Sequence, residues 1–207
     1  MKQNFEKIEN WLKENAHRIA DLSLQKSASE SALNHLENTI GTKIPDDFKQ
    51  LYFWHNGLTD NENIGSLFYG MDILSVERII SDYQNRKENN FSESFSLQKA
   101  DKEINSFNMY NLGWVKFASD SSHTGLYLDL APSEEGNYGQ IIFIDDEYEV
   151  GIIVADSTAE LVANLSNDLQ NNLYYLDEDA LEDGNHYLIT DSKIDIINWE
   201  TSEVWKR

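Results

Sequence analysis

The apolar residues of this chain change their spacing near Trp114, and that change limits the folds open to it. Before it, apolar side chains recur three and four residues apart, the period of a helix with one buried face. After it they alternate or run continuously, the pattern of sheet strands. Phe5, Ile8, Leu12, Ala16 and Ile19 form one helical stripe; Leu33, Leu36 and Ile40 form a second; Phe48, Leu51, Tyr52 and His55 form a third. Beyond Trp114, Val115 and Phe117 alternate with polar neighbours, as do Leu126, Leu128 and Leu130. Ile141 to Ile144 and Glu149 to Ala155 read as two further strands, with Asp145-Asp146-Glu147 as the turn between them. A helix carrying Leu161, Val162, Leu165 and Leu169 follows. N-terminal helices, then an antiparallel meander, then a helix predict an α+β fold.

Local signals set the expected boundaries. Ser27 and Glu30 are spaced as a capping box, so the second helix is expected to begin there, and Gly41 stands where a left-handed cap would close it. Pro45 suits the first position of the third helix, and Asp46 and Asp47 complement its dipole. Asn56-Gly57 is expected to end that helix. Residues Leu67 to Leu74 read as a strand leading into a helix from about Val76. The polar stretch from Gln84 to Asn108, which still holds Phe91, Phe95, Leu97, Ile104 and Phe107, reads as an ordered insertion or surface excursion. Asp156 or Ser157 caps the helix after the meander. The tail from Asn171 has a turn at Asp183-Gly184 and apolar patches at Tyr187-Leu188-Ile189 and Ile194 to Trp199, expected to be two strands, or a strand and a helix. With no repeat and no flexible linker, residues 1–207 are expected to form one domain, 171–207 being a C-terminal extension.

The formal net charge of −21 decides which partners are plausible. Phosphates of nucleic acids and of anionic membranes would repel such a chain, whereas a basic protein would be attracted. Solubility alone is the competing reason for an acidic surface. The chain has no cysteine, which excludes disulfides and thiolate metal sites. Its start has no apolar run or cleavage site and no stretch reaches the length of a membrane span, so a cytoplasmic protein is expected.

Candidate chemistry is sparse. Asp120, Ser121, Ser122 and His123 hold the letters of a nucleophilic triad, but adjacent residues in a turn point apart, and a triad must converge. The acidic groups Asp145, Asp146, Glu147, Glu149 and Asp177, Glu178, Asp179, Glu182, Asp183 lack the calcium-loop pattern. The five histidines are scattered without zinc spacing, and no nucleotide-binding glycine motif occurs, so no metal, cofactor or catalytic residue is expected. His55 suits the end of a helix by charge alone. Trp54 and Trp114 are either core residues or binding anchors.

Two stretches together resemble the SUKH superfamily, which includes the yeast cell-wall-assembly regulator. One is Ile44-Pro45-Asp46-Asp47-Phe48 through Trp54-His55-Asn56-Gly57. The other runs from Trp114-Val115-Lys116-Phe117-Ala118-Ser119-Asp120 through Gly125-Leu126-Tyr127-Leu128-Asp129-Leu130 and Gly139-Gln140-Ile141-Ile142-Phe143 to Ala155-Asp156-Ser157. The resemblance covers about residues 27–170 and departs at the turn 120–124, which has fewer glycines than the family pattern. It implies a non-enzymatic bacterial immunity protein that occludes a basic toxin, such as a nuclease, with an acidic surface; the alternative is a regulatory scaffold like the yeast relative. It also implies a binding surface near the Trp-containing strand and the Asn-Gly helix end. On this reading the partner-binding residues are Asp120, Asp129, Asp145, Asp146, Glu147 and Glu149, with Trp54 and Trp114 as anchors.

Overall fold

A computed structural model describes residues 1–59, 65–89 and 95–207; Phe91 lies outside the described residues. The first helix, α1 (Lys2–Asn15), buries Phe5, Ile8 and Leu12. The expected stripe does not continue as one helix. Ala16 leaves the helical region at φ −143° and the chain re-enters a single π-helical turn at Ile19–Ser23, yet Ala16 and Ile19 are both buried. The second helix, α2 (Glu30–Ile40), is capped by Ser29, whose hydroxyl accepts the Ala32 N–H at 3.1 Å, and not by Ser27. Ser27 is held extended: its hydroxyl donates to the Trp54 carbonyl at 3.3 Å, and the next N–H, that of Ala28, donates to the Tyr52 carbonyl at 2.9 Å. Gly41 closes α2 in the left-handed region, as expected.

The third helix, α3 (Asp46–Trp54), begins one residue after Pro45 and ends before His55, which is extended. The His55 ring lies 2.6 Å from the Gln25 carbonyl, so it serves the chain crossing and not the helix face. Gly57 has φ 72°, and a Cβ there would lie 2.6 Å from the Ile73 carbonyl oxygen, so glycine is needed for the close approach. The expected strand over 67–74 is mostly irregular: a 3-10 turn at Phe68–Gly70 precedes a two-residue strand, β1 (Asp72–Ile73). Helix α4 (Val76–Asn89) follows where expected.

The remaining strands are β2 (Lys99–Ala100), β3 (Trp114–Ser119), β4 (Thr124–Asp129), β5 (Gln140–Asp145) and β6 (Val150–Ala155). They form a sheet in the order β1-β3-β4-β5-β6-β2, antiparallel except where β2 joins β6 in parallel. The observed architecture is thus the expected α+β arrangement. Helix α5 (Thr158–Gln170) starts at Ser157, whose hydroxyl accepts the Glu160 N–H while Glu160 reaches back to the Asp156 N–H. Asp47 of α3 accepts the Ala159 N–H at 2.9 Å, which ties the two helices together.

The two faces of the sheet bury different things. Val115, Phe117, Leu126, Leu128, Ile141, Phe143 and Ile152 share a core with the helices, and Phe48 of α3 meets Phe117 edge-on. On the opposite face Trp114, Ile142 and Ile144 pack with Leu97, Ile104 and Met109 from the excursion. Strand β5 is therefore covered on both sides, which is why its sequence is continuously apolar and does not alternate. The tail forms a hairpin of β7 (Tyr174–Leu176) and β8 (Leu188–Thr190) with a short helix, α6 (Glu178–Glu182), between them. Ile194 to Trp199 is neither strand nor helix; it consists of turns that bury Ile194, Ile196 and Trp199 in the main core. Among the described residues no helix is long and apolar enough to cross a membrane.

Candidate partner-binding cleft

Three of the eight residues expected to bind a partner are inside the protein. Trp114 is fully buried at the start of β3, among Leu97, Ile104 and Ile142. Asp129 is fully buried at the end of β4: one carboxylate oxygen accepts the Ala131 N–H at 2.9 Å and the other accepts the Gln140 side-chain amide at 2.8 Å. Burial raises its pKa against the pull of those bonds. Asp145 is 1% exposed and accepts from the Glu147 and Tyr148 N–H groups and the Trp199 indole N–H. These side chains serve the fold and present no surface to a partner, because each sits where β-strand ends are covered by the excursion or the tail.

The other five reach solvent. Asp146 and Glu147 are exposed; Asp120 and Glu149 are partly exposed. Glu149 takes φ 54°, and its carbonyl accepts the Gln98 N–H at 2.7 Å, which seats the excursion against β6. Trp54 is half-buried at the end of α3, stacked on Phe5 at 4.6 Å with its indole N–H donating to Glu9 at 2.7 Å.

The triad letters do not assemble. The Asp120 carboxylate accepts the Ser122 and Thr124 N–H groups of its own turn. His123 instead lies between Asp145 and Glu147, its two ring nitrogens 3.2 and 3.3 Å from their oxygens. Asp177 is occupied in capping α6 through the Asp179 and Ala180 N–H groups. Among the described residues no three His, Asp or Glu side chains gather as metal ligands.

What the structure does bring together is a cleft on the outer face of the sheet. Among the described residues, helix α4 and the excursion leave part of that face open. One cavity of about 320 Å³ lies over β3, β4 and β5, and a second of about 400 Å³ lies between α4, β1 and the 119–122 turn. Lys116 and Asp82 line both. The Lys116 stem lies across Gly125, where a Cβ would be 2.4 Å from Lys116 Cε. Its ammonium stands 5.8 Å from the Tyr127 ring centre, and the Arg86 guanidinium stands 5.7 Å from the same centre. Arg86 is fixed by bonds to the Trp114 carbonyl at 2.8 Å and the Asn111 carbonyl at 3.0 Å. The Lys116 ammonium, by contrast, has the carboxylates of Asp82, Asp120 and Asp146 around it. Burial lowers its pKa, opposed by Asp146, Asp120 and Asp82. Burial also pushes the Tyr127 phenol up to about 12.

Asp120 and Asp146 were expected in a binding surface and do meet here. Lys116, Asp82 and Arg86 were not expected. Lys116 had a legible signal: it occupies an outward position in the otherwise apolar Trp114-Val115-Lys116-Phe117. Asp82 and Arg86 sit on the polar side of an amphipathic helix and carry no such mark.

These features define an α+β protein with a recessed, charge-lined cleft on one sheet face. The profile of the SMI1/KNR4 family (SUKH-1) matches residues 27–164, and the chain belongs to that family. It is 23% identical to the "KNR4/SMI1 homolog 2" of Debaryomyces hansenii over 87% of this chain and 37% of that protein. It is 23% identical to a "Glucan synthesis regulatory protein" of Neurospora crassa over 99% of this chain and 46% of that protein. It is 21% identical to the "Cell wall assembly regulator SMI1" of Saccharomyces cerevisiae over 83% of this chain and 41% of that protein. The chain thus spans less than half the length of each of these relatives.

Proposed function

We propose that this chain is a non-catalytic protein-interaction module with a regulatory role, and that it docks a basic protein at the rim of the outer-face cleft. The observation that carries this reading is that Asp82 of α4 and Asp146 of the turn after β5 line one cleft, with Asp120 near enough to act on its Lys116, in a protein with net charge −21. Such a rim speeds encounter with positive surfaces and repels nucleic acid. Relatives named as regulators of cell-wall assembly and glucan synthesis support the regulatory role. The test is the association rate of a purified partner with Asp82→Lys/Asp146→Lys protein. A rate at least tenfold lower, with weaker salt dependence, is expected; an unchanged rate would leave the acidic surface with solubility as its only role.

The narrower reading, an immunity protein that occludes a toxin, is favoured by the same charge, since nuclease surfaces are basic. Co-expression with the product of the gene immediately upstream separates the two: a tight complex with rescue of growth supports immunity, and neither one leaves the regulatory module.

A further inference from the structure

His186 joins two segments 168 positions apart in sequence, and it does so only as a neutral ring. Its Nδ1 accepts the Arg18 N–H at 3.3 Å, so that nitrogen offers a lone pair and carries no proton. The ring donates to the Ala16 carbonyl, which takes its other nitrogen. The residue is 7% exposed and meets the His17 ring edge-on at 4.8 Å. The backbones are close at the same place: Gly65 bridges to His186 in parallel, and a Cβ on Gly65 would lie 2.8 Å from Ile19 Cγ1. The joint therefore holds the tip of the tail hairpin, residues 177–187, against the turn that follows α1.

A second proton on the ring undoes this joint. It takes the lone pair that the Arg18 N–H needs, and it puts positive charge where the surroundings oppose it. Burial lowers the ring's pKa; the Ala16 carbonyl works against that, while His17 and Arg18 add to it. Tyr187, the next residue, is a phenol whose pKa burial raises, so it stays neutral here. The acids of the tip, Glu178, Asp179, Glu182 and Asp183, lie on α6 and the turn after it, and among the described residues none of them acts on the ring. A histidine held below its ordinary value keeps its joint above that value and loses it as pH falls through the folded one. The root of the hairpin has no such dependence: the Ser66 hydroxyl accepts the Leu188 N–H and donates to the Leu188 carbonyl, each at 3.0 Å. We propose that His186 is an acid-sensitive latch: the neutral ring fastens the tip of the tail hairpin to residues 16–18, and the imidazolium releases the tip while Ser66 keeps β8 in place.

The experiment follows the isotope-labelled full chain by NMR from about pH 8 to about pH 5. The Arg18 amide is expected to shift in one titration step within that range and to lose at least about tenfold of its protection from hydrogen exchange. Amides of residues 178–185 are expected to move with it, and those of β8 and of β3 to β6 to keep their protection. His186→Gln, whose carboxamide accepts and donates at once without titrating, is expected to abolish the step. Should that variant fail to fold, the wild-type His186 ring carbon supplies the second measurement: its titration is expected to coincide with the Arg18 step. Asp168 acts on Tyr174 at the root of the hairpin and its pKa is pushed up to about 6, so the titration is repeated with Asp168→Asn, which is expected to leave the Arg18 step in place. An Arg18 amide that does not move, a step that survives His186→Gln or vanishes with Asp168→Asn, a ring that titrates apart from it, or a loss of β8 protection along with the tip would overturn the proposal.

Discussion

The indole N–H of Trp199 donates to the Asp145 carboxylate at 3.0 Å, joining the tail to the last residue of β5 across 54 positions of sequence. Both side chains are almost completely buried. The other Asp145 oxygen holds the turn after β5 through the Glu147 and Tyr148 N–H groups. One carboxylate thus shapes a strand end and anchors the C-terminal residues over it.

Replacing Trp199 by Phe keeps most of the apolar packing but leaves an Asp145 oxygen without its donor. A loss of about 1–3 kcal/mol is expected. It would be read as a lower urea midpoint with an unchanged slope. A wild-type midpoint would mean that the tail contributes nothing to holding the sheet.

Glu37 gives the fold an acid-sensitive joint. Its carboxylate is 4% exposed and accepts from Lys43, from Lys49 at 2.7 Å and from the Ile44 N–H at 3.2 Å. Burial raises its pKa, but these partners outweigh burial and hold it at about 2. A pKa held below the unfolded value of 4.5 stabilises the protein above that value, and the contribution is lost as pH falls toward 2. Glu37→Gln is therefore expected to cost about 2 kcal/mol at pH 7 and to converge on the wild type near pH 2, measured by denaturant unfolding across pH.

Asp168 works in the opposite direction. Burial on α5 pushes its pKa up to about 6. The unfolded chain gives up this proton near 3.8 while the folded chain keeps it until about 6, so stability falls as pH rises through that window. Asp168→Asn is expected to raise stability by about 1 kcal/mol at pH 7, solvent screening of a partly exposed group included, and to change little at pH 3. A variant less stable than wild type at pH 7 would show that the carboxylate is held by something other than burial.

The elements were legible where a local pattern fixes them. The alternation at Val115 and Phe117, the run from Ile141 to Ile144 and the Ser157 cap all lie in the structure as their spacing implies. What failed depended on distant groups. Ser27 looks like a helix cap, but bonds to the end of α3 hold its segment extended and pass the cap to Ser29. Asp129 looks like a polar position of an alternating strand and Asp145 like a turn acid; nothing near them announces that they will be buried against Gln140 and Trp199. A carboxylate's burial is set by what covers it, and here the covers are the excursion and the tail, the segments with the weakest periodicity.

The central claim, that partners enter at the outer-face cleft, is tested most directly by a photo-crosslinking amino acid placed at Asn85, on the exposed rim of α4, and separately at Tyr175, 49% exposed on the tail hairpin. In the native cells the account predicts a discrete adduct from position 85, lost when Asp146→Lys is added, and none from position 175. An adduct at 175 with none at 85 would place the partner elsewhere on the molecule and contradict the account.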